Sequence, residues 1–187
     1  MISEKSIKTG TLAGLLLAML LTRGSHFGTS FLLPDASLAV FFLGGILLAR
    51  HRVFIGLLAA AFVIDIWAIN FQNVPAYCFT PAYVGLLPTY GLVWMSGVWL
   101  SRRAAPFAAR AFFPTAVAST LLAFLISNAF FYGFSGHFTT MQASDFASAV
   151  AQYLPAYAGF TLLYLAAAWL GRLLWKAINR HEQALNH

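Results

Sequence analysis

Residues 53–71 read VFIGLLAAAFVIDIWAINF, a stretch whose single charged side chain is Asp65. The stretch is continuously apolar and shows no strict alternation of apolar and polar residues, so it favours a helix over a strand of a membrane barrel. A helix of about 20 apolar residues is long enough to cross the hydrocarbon core of a bilayer. The stretch therefore predicts a transmembrane helix with one carboxylate inside it.

Similar apolar runs lie on both sides of this stretch. They fall between charged or turn-rich breaks at about 9–22, 36–49, 82–100, 112–133 and 148–171. Six helices of roughly 20 residues each fit within the 187 residues of the chain and leave short connections. We therefore predict an all-α integral membrane protein in which residues 1–187 form one domain of six transmembrane helices.

The composition excludes several other classes of protein. Only 9% of the residues are charged, 60% are hydrophobic and the mean hydropathy is +0.77, whereas about a quarter of the residues of a soluble domain are charged. Intrinsic disorder needs low hydrophobicity and high charge, and a nucleic-acid binder needs a dense basic face. The expected surroundings are a lipid bilayer, and no nucleic-acid partner is expected.

The basic residues give the predicted bundle an orientation. On the six-helix arrangement, ten of the eleven Lys and Arg residues fall on one side of the membrane. They are Lys5 and Lys8 before the first run, Arg50 and Arg52 after the second, Arg102, Arg103 and Arg110 after the fourth, and Arg172, Lys176 and Arg180 after the sixth. Arg23 alone falls on the other side. Because cytoplasmic loops retain Lys and Arg, both termini should be cytoplasmic and the loops near 23–35, 72–83 and 134–147 should face outward.

Asp65 is the polar residue that a membrane span should tolerate least. Six residues before the end of its run, it lies about 9 Å below the outer end of the helix. A carboxylate there is costly unless it faces a polar cavity or a partner. It is therefore interpreted as an acid that contacts a ligand or carries a proton, or else as a group that bonds to a Tyr, Asn or Ser of a neighbouring helix.

Two prolines also favour a cavity at the outward end. Pro88 and Pro155 lie at matching depths in the fourth and sixth runs. A proline inside a helix removes a backbone donor and leaves a carbonyl unpaired, which is tolerated where a water-filled cavity or a neighbouring group satisfies the carbonyl. The tyrosines near this depth are Tyr83, Tyr90, Tyr153 and Tyr157. The pattern predicts an outward-facing cavity close to Asp65.

The outer loop 72–83 carries the only cysteine of the chain, Cys78. A single cysteine excludes an internal disulfide, and Pro75 and Pro81 restrict the backbone on either side. Cys78 is then either a small buried hydrophobe or a soft ligand for a metal centre. His26 and His137 lie in the other outer loops, where each is either a solvated side chain or a ligand.

Motifs that the sequence lacks argue against two kinds of site in this chain. The chain has no Cys-x-x-Cys or His-x-x-x-His pattern and no P-loop, so we expect neither a structural zinc site nor ATP hydrolysis by this chain alone.

Gly10, Gly14 and Ala18 form a line of small residues on the first span. Such a line lets another helix approach closely, either inside the protein or from a separate membrane subunit.

These features together resemble a known group of transporters. Six helices with both termini inside, a small-residue line on the first span and a polar outward cavity resemble the S components of energy-coupling factor vitamin transporters. More narrowly, His26, Asp65 and the segment Tyr77-Cys78-Phe79-x-x-x-Tyr83 resemble the BtuM family, solitary S-component-type cobalamin transporters of the bacterial inner membrane.

The resemblance implies a function and a site. Cobalamin (vitamin B12) would be the substrate taken up across the inner membrane, with Cys78 as the axial ligand of its cobalt. His26, Asp65, Tyr77 and Tyr83 would surround the bound vitamin. A thiolate on cobalt would favour loss of cyanide, so decyanation of cyanocobalamin with Cys78 as the catalytic residue is implied as well. An ATP-driven energy-coupling module would be a compatible partner and not a required one.

Three alternatives stay open at the level of the sequence. The protein could be an S component for another vitamin, with Cys78 merely buried. It could be a structural subunit resembling the cell-shape proteins that share a small six-helix plan, although a scaffold has no need of an outward cluster around Asp65 and Cys78. It could also be a membrane enzyme in which decyanation matters more than transport.

Overall fold

The computed structural model describes residues 3–23, 33–72 and 75–185, and every regular element within these ranges is helical. The α-helices are α1 Glu4–Arg23, α2 Ser37–Leu47, α3 His51–Phe71, α4 Leu86–Ser101, α5 Ala109–Phe134, α6 Ala143–Ala151 and α7 Leu154–Leu185. Two 3₁₀ helices, Ala76–Cys78 and Pro81–Gly85, lie between α3 and α4. The predicted all-α class is confirmed.

Three of the described helices are long and apolar enough to cross a membrane. They are α3, α5 and the part of α7 from Leu154 to Arg180. The apolar helix α2 is shorter, with 11 residues. By length and composition the prediction of a helical, membrane-like protein is confirmed, while the count of six spans and the cytoplasmic termini stay predictions.

The connections at the predicted outward end contain more structure than the sequence suggested. The predicted loop 72–83 holds the 3₁₀ helix Ala76–Cys78 and the start of Pro81–Gly85, which runs directly into α4. The short helix α6 begins inside the predicted loop 134–147. At the other end, α7 continues to Leu185, because residues 172–185 contain neither Gly nor Pro and are rich in good helix formers.

The structure places Pro88 and Pro155 near the starts of α4 and α7, whereas the apolar runs of the sequence put them seven to eight residues inside. Pro88 is the third residue of α4, and Pro155 is the second residue of α7, which α6 precedes after a turn at 152–153. The amide groups of a first turn have no partner within their helix. Proline is well suited to such a position. Pro155 lies in the first turn of α7, and Pro88 lies where the 3₁₀ helix Pro81–Gly85 passes into α4.

The core of the molecule is built around α2 and α4. Phe41 and Phe42 of α2 are completely buried. The ring of Phe41 stacks on Tyr90 of α4 with 4.3 Å between centroids. Glycines let the two backbones touch, since a Cβ atom added to Gly97 would lie 2.2 Å from the carbonyl oxygen of Phe42. Close backbone approach through glycine is a known way for membrane helices to pack.

The small-residue line of α1 is not the surface that packs in this way. No atom lies within 4 Å of a Cβ added to Gly10 or Gly14, apart from their own helix and chain neighbours, in the described part of the chain. Ala18, farther along the helix, packs against the core. The line is therefore open at its N-terminal two positions and covered at the third.

Candidate functional site

A cavity of about 720 Å³ lies at the end of the bundle where α1 and α3 end and where α4 and α7 begin. Its wall is mainly apolar and aromatic. The aromatic members are Tyr77, Phe79, Tyr83, Tyr90, Phe124, Phe131, Phe138, Phe146, Tyr153, Tyr157 and Phe160. This volume is within the range of small-molecule sites, which are typically apolar with a few placed polar groups. A cavity beside Asp65, as the prolines and tyrosines predicted, is thus present, although Pro88 and Pro155 do not line it. That it faces outward stays a prediction.

The polar floor of the cavity is an ion pair between Arg23 and Asp65. Arg23 is the last residue of α1 and is 2% exposed. Its Nε donates to Asp65 Oδ1 and its Nη2 to Asp65 Oδ2, both at 2.7 Å. A bidentate pair of this kind is the strongest arrangement available to a guanidinium and a carboxylate. The pair fixes the end of α1 to α3.

The remaining nitrogen of the Arg23 guanidinium connects two more helices to the pair. Nη1 donates to Ser37 Oγ at 2.8 Å, on α2, and to Tyr90 Oη at 2.6 Å, on α4. Asp35 Oδ2 lies 4.0 Å from the same nitrogen. One buried side chain therefore holds α1, α2, α3 and α4 together at the floor of the cavity.

The predicted site residues Asp65 and Tyr83 are brought together. The hydroxyl of Tyr83, in the 3₁₀ helix Pro81–Gly85, donates to Asp65 Oδ2 at 2.8 Å. Both residues line the cavity. The interpretation of Asp65 as a group that bonds to a tyrosine is thus confirmed, and its contact with a ligand stays a prediction.

Arg23 is the residue that the sequence interpretation misplaced. It was assigned to an outer loop as the one basic residue on that side, whereas it ends α1 and is buried. A buried carboxylate is stable chiefly when a charge or several donors compensate it. Arg23 is the only basic residue on the side of the membrane predicted for Asp65. This observation would have been enough to predict that the two side chains form an ion pair.

Tyr77, another predicted site residue, is held by His137. The two rings stack with 4.2 Å between centroids and 6° between planes. His137 Nε2 lies 3.2 Å from the carbonyl oxygen of Tyr77. This contact fastens the 3₁₀ helix Ala76–Cys78 to the connection between α5 and α6, so His137 contacts the cysteine-bearing segment.

Cys78 and His26 complete the predicted set. The backbone of Cys78 ends the 3₁₀ helix Ala76–Cys78, between Tyr77 and Phe79, which both line the cavity. The thiol of Cys78 and the whole of His26 lie outside the described part of the structure. Among the residues that the structure does describe, no group of three or more His, Cys, Asp or Glu side chains is close enough to hold a metal ion.

The cavity is also lined by polar side chains that the sequence did not single out. Ser127 and Asn128 of α5 donate to the carbonyl oxygen of Phe124 in their own helix, at 3.1 and 2.8 Å. Gln152, between α6 and α7, donates to the carbonyl oxygen of Ala149. Hydroxyl and amide side chains of this kind can bond to a ligand that carries amides. Nothing in the linear pattern distinguishes these residues from other polar residues near helix ends.

The fold and the site define a class of protein: an all-helical, membrane-like chain with an aromatic cavity whose floor is a buried ion pair. No protein-family model matches the chain, and no curated protein matches it.

Proposed function

We propose that this protein takes up cobalamin across the bacterial inner membrane, as the resemblance to the BtuM family implies. The observation that carries the proposal is the position of the cysteine-bearing 3₁₀ helix. Cys78 follows Tyr77 and precedes Phe79, and both neighbours line an aromatic cavity at one end of the bundle. A ligand bound in the cavity would thus lie beside the segment that carries the only thiol.

The cavity wall supports a ligand with a wide apolar face and a polar rim. The faces of a corrin ring are apolar, and its edge carries carboxamides. Aromatic side chains suit the apolar faces of the ring. Asp65, Ser127 and Asn128 offer hydrogen-bonding groups to the carboxamides at its edge. We propose that the ring occupies the cavity and that the bulkier nucleotide tail extends into its open mouth.

The proposed role of Cys78 follows from the chemistry of the thiolate. A thiolate is a soft, strongly donating ligand, and as an axial ligand of the corrin cobalt it would weaken the bond to a cyanide on the opposite face. Decyanation of cyanocobalamin is accordingly part of the proposal, with Cys78 as the catalytic residue. Tyr77, Tyr83, Asp65 and His26 are proposed to contact the vitamin.

The proposed topology has six transmembrane helices and cytoplasmic termini, with the cavity facing outward. The six are α1, α2, α3, α4 with its preceding 3₁₀ helix, α5 and α7. Two observations support it. The N-terminal residues Lys5 and Lys8 share a surface pocket with Arg50, which places these basic residues at one end. Arg23 lies at the other end, in the cavity.

The visible spectrum of cyanocobalamin bound to the purified protein tests the proposal. Because Cys78 is the only cysteine, a Cys78→Ser variant lacks every thiol while it preserves the shape of the side chain. We expect a change in the corrin bands with the native protein and none with the variant. Equal spectra for the two, with the vitamin bound in both, would exclude Cys78 as the cobalt ligand.

A second candidate is an S component for another vitamin, which the cavity would also suit. Binding of a panel of vitamins to the same purified protein separates the two. Cobalamin should bind most tightly, and tighter binding of a different vitamin that is unaffected by Cys78→Ser would favour the second candidate.

A further inference from the structure

The surface pocket at the end of the bundle away from the cavity is rich in basic side chains. It has a volume of about 610 Å³ and lies between the first turns of α1 and the connection from α2 to α3. Among the described residues of its wall, three are basic, Lys5, Lys8 and Arg50, and one is acidic, Glu4. We call this site the basic pocket. Its described wall carries an excess of positive charge.

The acid of the basic pocket is engaged by only one of the three cations. Lys8 Nζ donates to Glu4 Oε1, one turn earlier in α1. Within the described ranges the side chains of Lys5 and Arg50 form no ion pair, and both residues are exposed. An anion can therefore reach these two cations without breaking an ion pair of the described structure.

The other four acids of the chain lie away from this pocket. Asp35 and Asp65 line the cavity, and Asp145 is in the first turn of α6, other residues of which line the cavity as well. From the cavity end of its helix, Glu182 lies about 42 Å along α7, whereas Lys5 lies about 27 Å along α1. The segments outside the described residues contain no Asp or Glu in the sequence. No other acid of the chain is thus placed to neutralise the basic pocket.

The face of α1 that contributes to the basic pocket continues as an apolar surface. After Lys5 and Thr9, this face carries Ala13, Leu16 and Leu20, at intervals of three or four residues. Ala13 is exposed, and so are Leu16 and Leu20, by 36% and 60%. The two leucines lie about 17 and 23 Å along the helix from Lys5, and half of a bilayer's hydrocarbon core is about 15 Å thick. The surface therefore matches an amphiphile with an anionic head and a tail as long as one leaflet.

We infer that the basic pocket binds the phosphate of an anionic phospholipid, with an acyl chain of the lipid along Ala13, Leu16 and Leu20. Phosphate oxygens accept strong hydrogen bonds from ammonium and guanidinium groups, and basic residues beside a membrane attract anionic lipids. The exposed leucines favour a lipid over free phosphate, because only a lipid removes them from water. The inference does not depend on which ligand occupies the cavity.

Native mass spectrometry of the purified protein in an uncharged detergent counts the bound lipids and gives their affinity. Phosphatidylglycerol is the anionic probe, phosphatidylcholine with the same acyl chains is the zwitterionic probe, and glycerol 3-phosphate supplies a phosphate without a tail. The variant Lys5→Gln/Arg50→Gln removes two charges from the pocket. Its matched control is Arg102→Gln/Arg110→Gln, which removes two exposed charges that do not line the pocket.

We expect one phosphatidylglycerol to bind the native protein and the control variant at least about tenfold more tightly than phosphatidylcholine. The variant Lys5→Gln/Arg50→Gln should bind it at least about tenfold more weakly than the native protein does. Equal affinities for the two lipids, or an equal loss in the two double variants, would overturn the inference. Glycerol 3-phosphate that binds as tightly as the lipid would assign the pocket to free phosphate and overturn the inference as well.

The variant Glu4→Gln tests the same inference in the opposite direction. It removes the one acid of the described wall and releases Lys8, so phosphatidylglycerol should bind several-fold more tightly than to the native protein. A purely structural role of these side chains predicts no gain in affinity. Because this variant strengthens binding, it remains informative even where the double variant folds poorly. Unchanged or weaker binding would contradict the inference.

Discussion

At the scale of single residues, the pairing of Arg23 with Asp65 determines whether the cavity floor is stable. When one partner of a buried ion pair is removed, the other is left without compensation, and such a change costs about 3–5 kcal/mol. Arg23 is the more deeply buried of the two. The larger effect should therefore come from substitutions at Asp65, which leave the buried cation alone.

We predict that Asp65→Ala lowers the free energy of unfolding by about 3–5 kcal/mol. The double variant Arg23→Met/Asp65→Leu, which replaces both charges with apolar groups, should regain most of that loss. Thermal unfolding in detergent measures both effects. A single variant as stable as the native protein would contradict the assignment of Asp65 as the main partner of Arg23.

The sequence identified the acid of this pair but not the base. Asp65 is conspicuous because it interrupts an apolar run, and Tyr83 and Tyr77 follow in a segment with few other polar candidates. Arg23 stands before the Gly24-Ser25 pair, a pattern that fits the end of a helix as well as a loop, so the local sequence does not show that the side chain is buried. Its role depends on a contact with a residue 42 positions away.

At the scale of helices, the contact between α2 and α4 is set by glycine. A Cβ atom at Gly97 would lie 2.2 Å from a backbone oxygen, and backbone cannot move aside as a flexible side chain can. Among the described residues, no atom outside its own helix and chain neighbours lies within 4 Å of a Cβ atom added to Gly14. The two positions therefore make a matched pair for one substitution.

We predict that Gly97→Ala lowers the free energy of unfolding by about 1–3 kcal/mol, because α2 and α4 must separate. Gly14→Ala should leave stability unchanged or raise it slightly, since alanine is the better helix former. Thermal unfolding of both variants beside the native protein gives the comparison. Equal effects of the two would show that the close approach at Gly97 does not limit packing.

The helices were predictable to different degrees. Long apolar runs located α3 and α5 closely, since apolar length is what a bilayer requires of a helix. The short helix α6 was not predicted, because polar residues on both sides resemble a loop. The roles of Pro88 and Pro155 could not be derived from depth alone, since a proline fits equally a kink within a helix and the first turn of a new one.

At the scale of the whole molecule, charge is divided between the two ends. Ten basic residues belong to the predicted cytoplasmic side, whereas Arg23 is engaged in the floor of the cavity at the other end. Helix α7 has 32 residues, which at about 1.5 Å each is longer than the hydrocarbon core of a bilayer. Its C-terminal part carries Arg172, Lys176 and Arg180 at intervals of four, which is one face of a helix and suits contact with anionic lipid headgroups.

We predict that the connection between α5 and α6 faces outward and the connection between α4 and α5 faces the cytoplasm. Thr139→Cys and Ala104→Cys, each in a Cys78→Ser background, place one thiol at an exposed position in each connection. A membrane-impermeant maleimide added to intact spheroplasts should label the first variant and not the second. Labelling of Ala104→Cys alone would reverse the orientation.

Uptake of radiolabelled cyanocobalamin by right-side-out inner-membrane vesicles tests the central claim most directly. Vesicles that contain the native protein should accumulate the label well above empty vesicles, and vesicles with Cys78→Ser at matched protein level should accumulate far less. Accumulation no greater than in empty vesicles would contradict the claim that this protein takes up cobalamin.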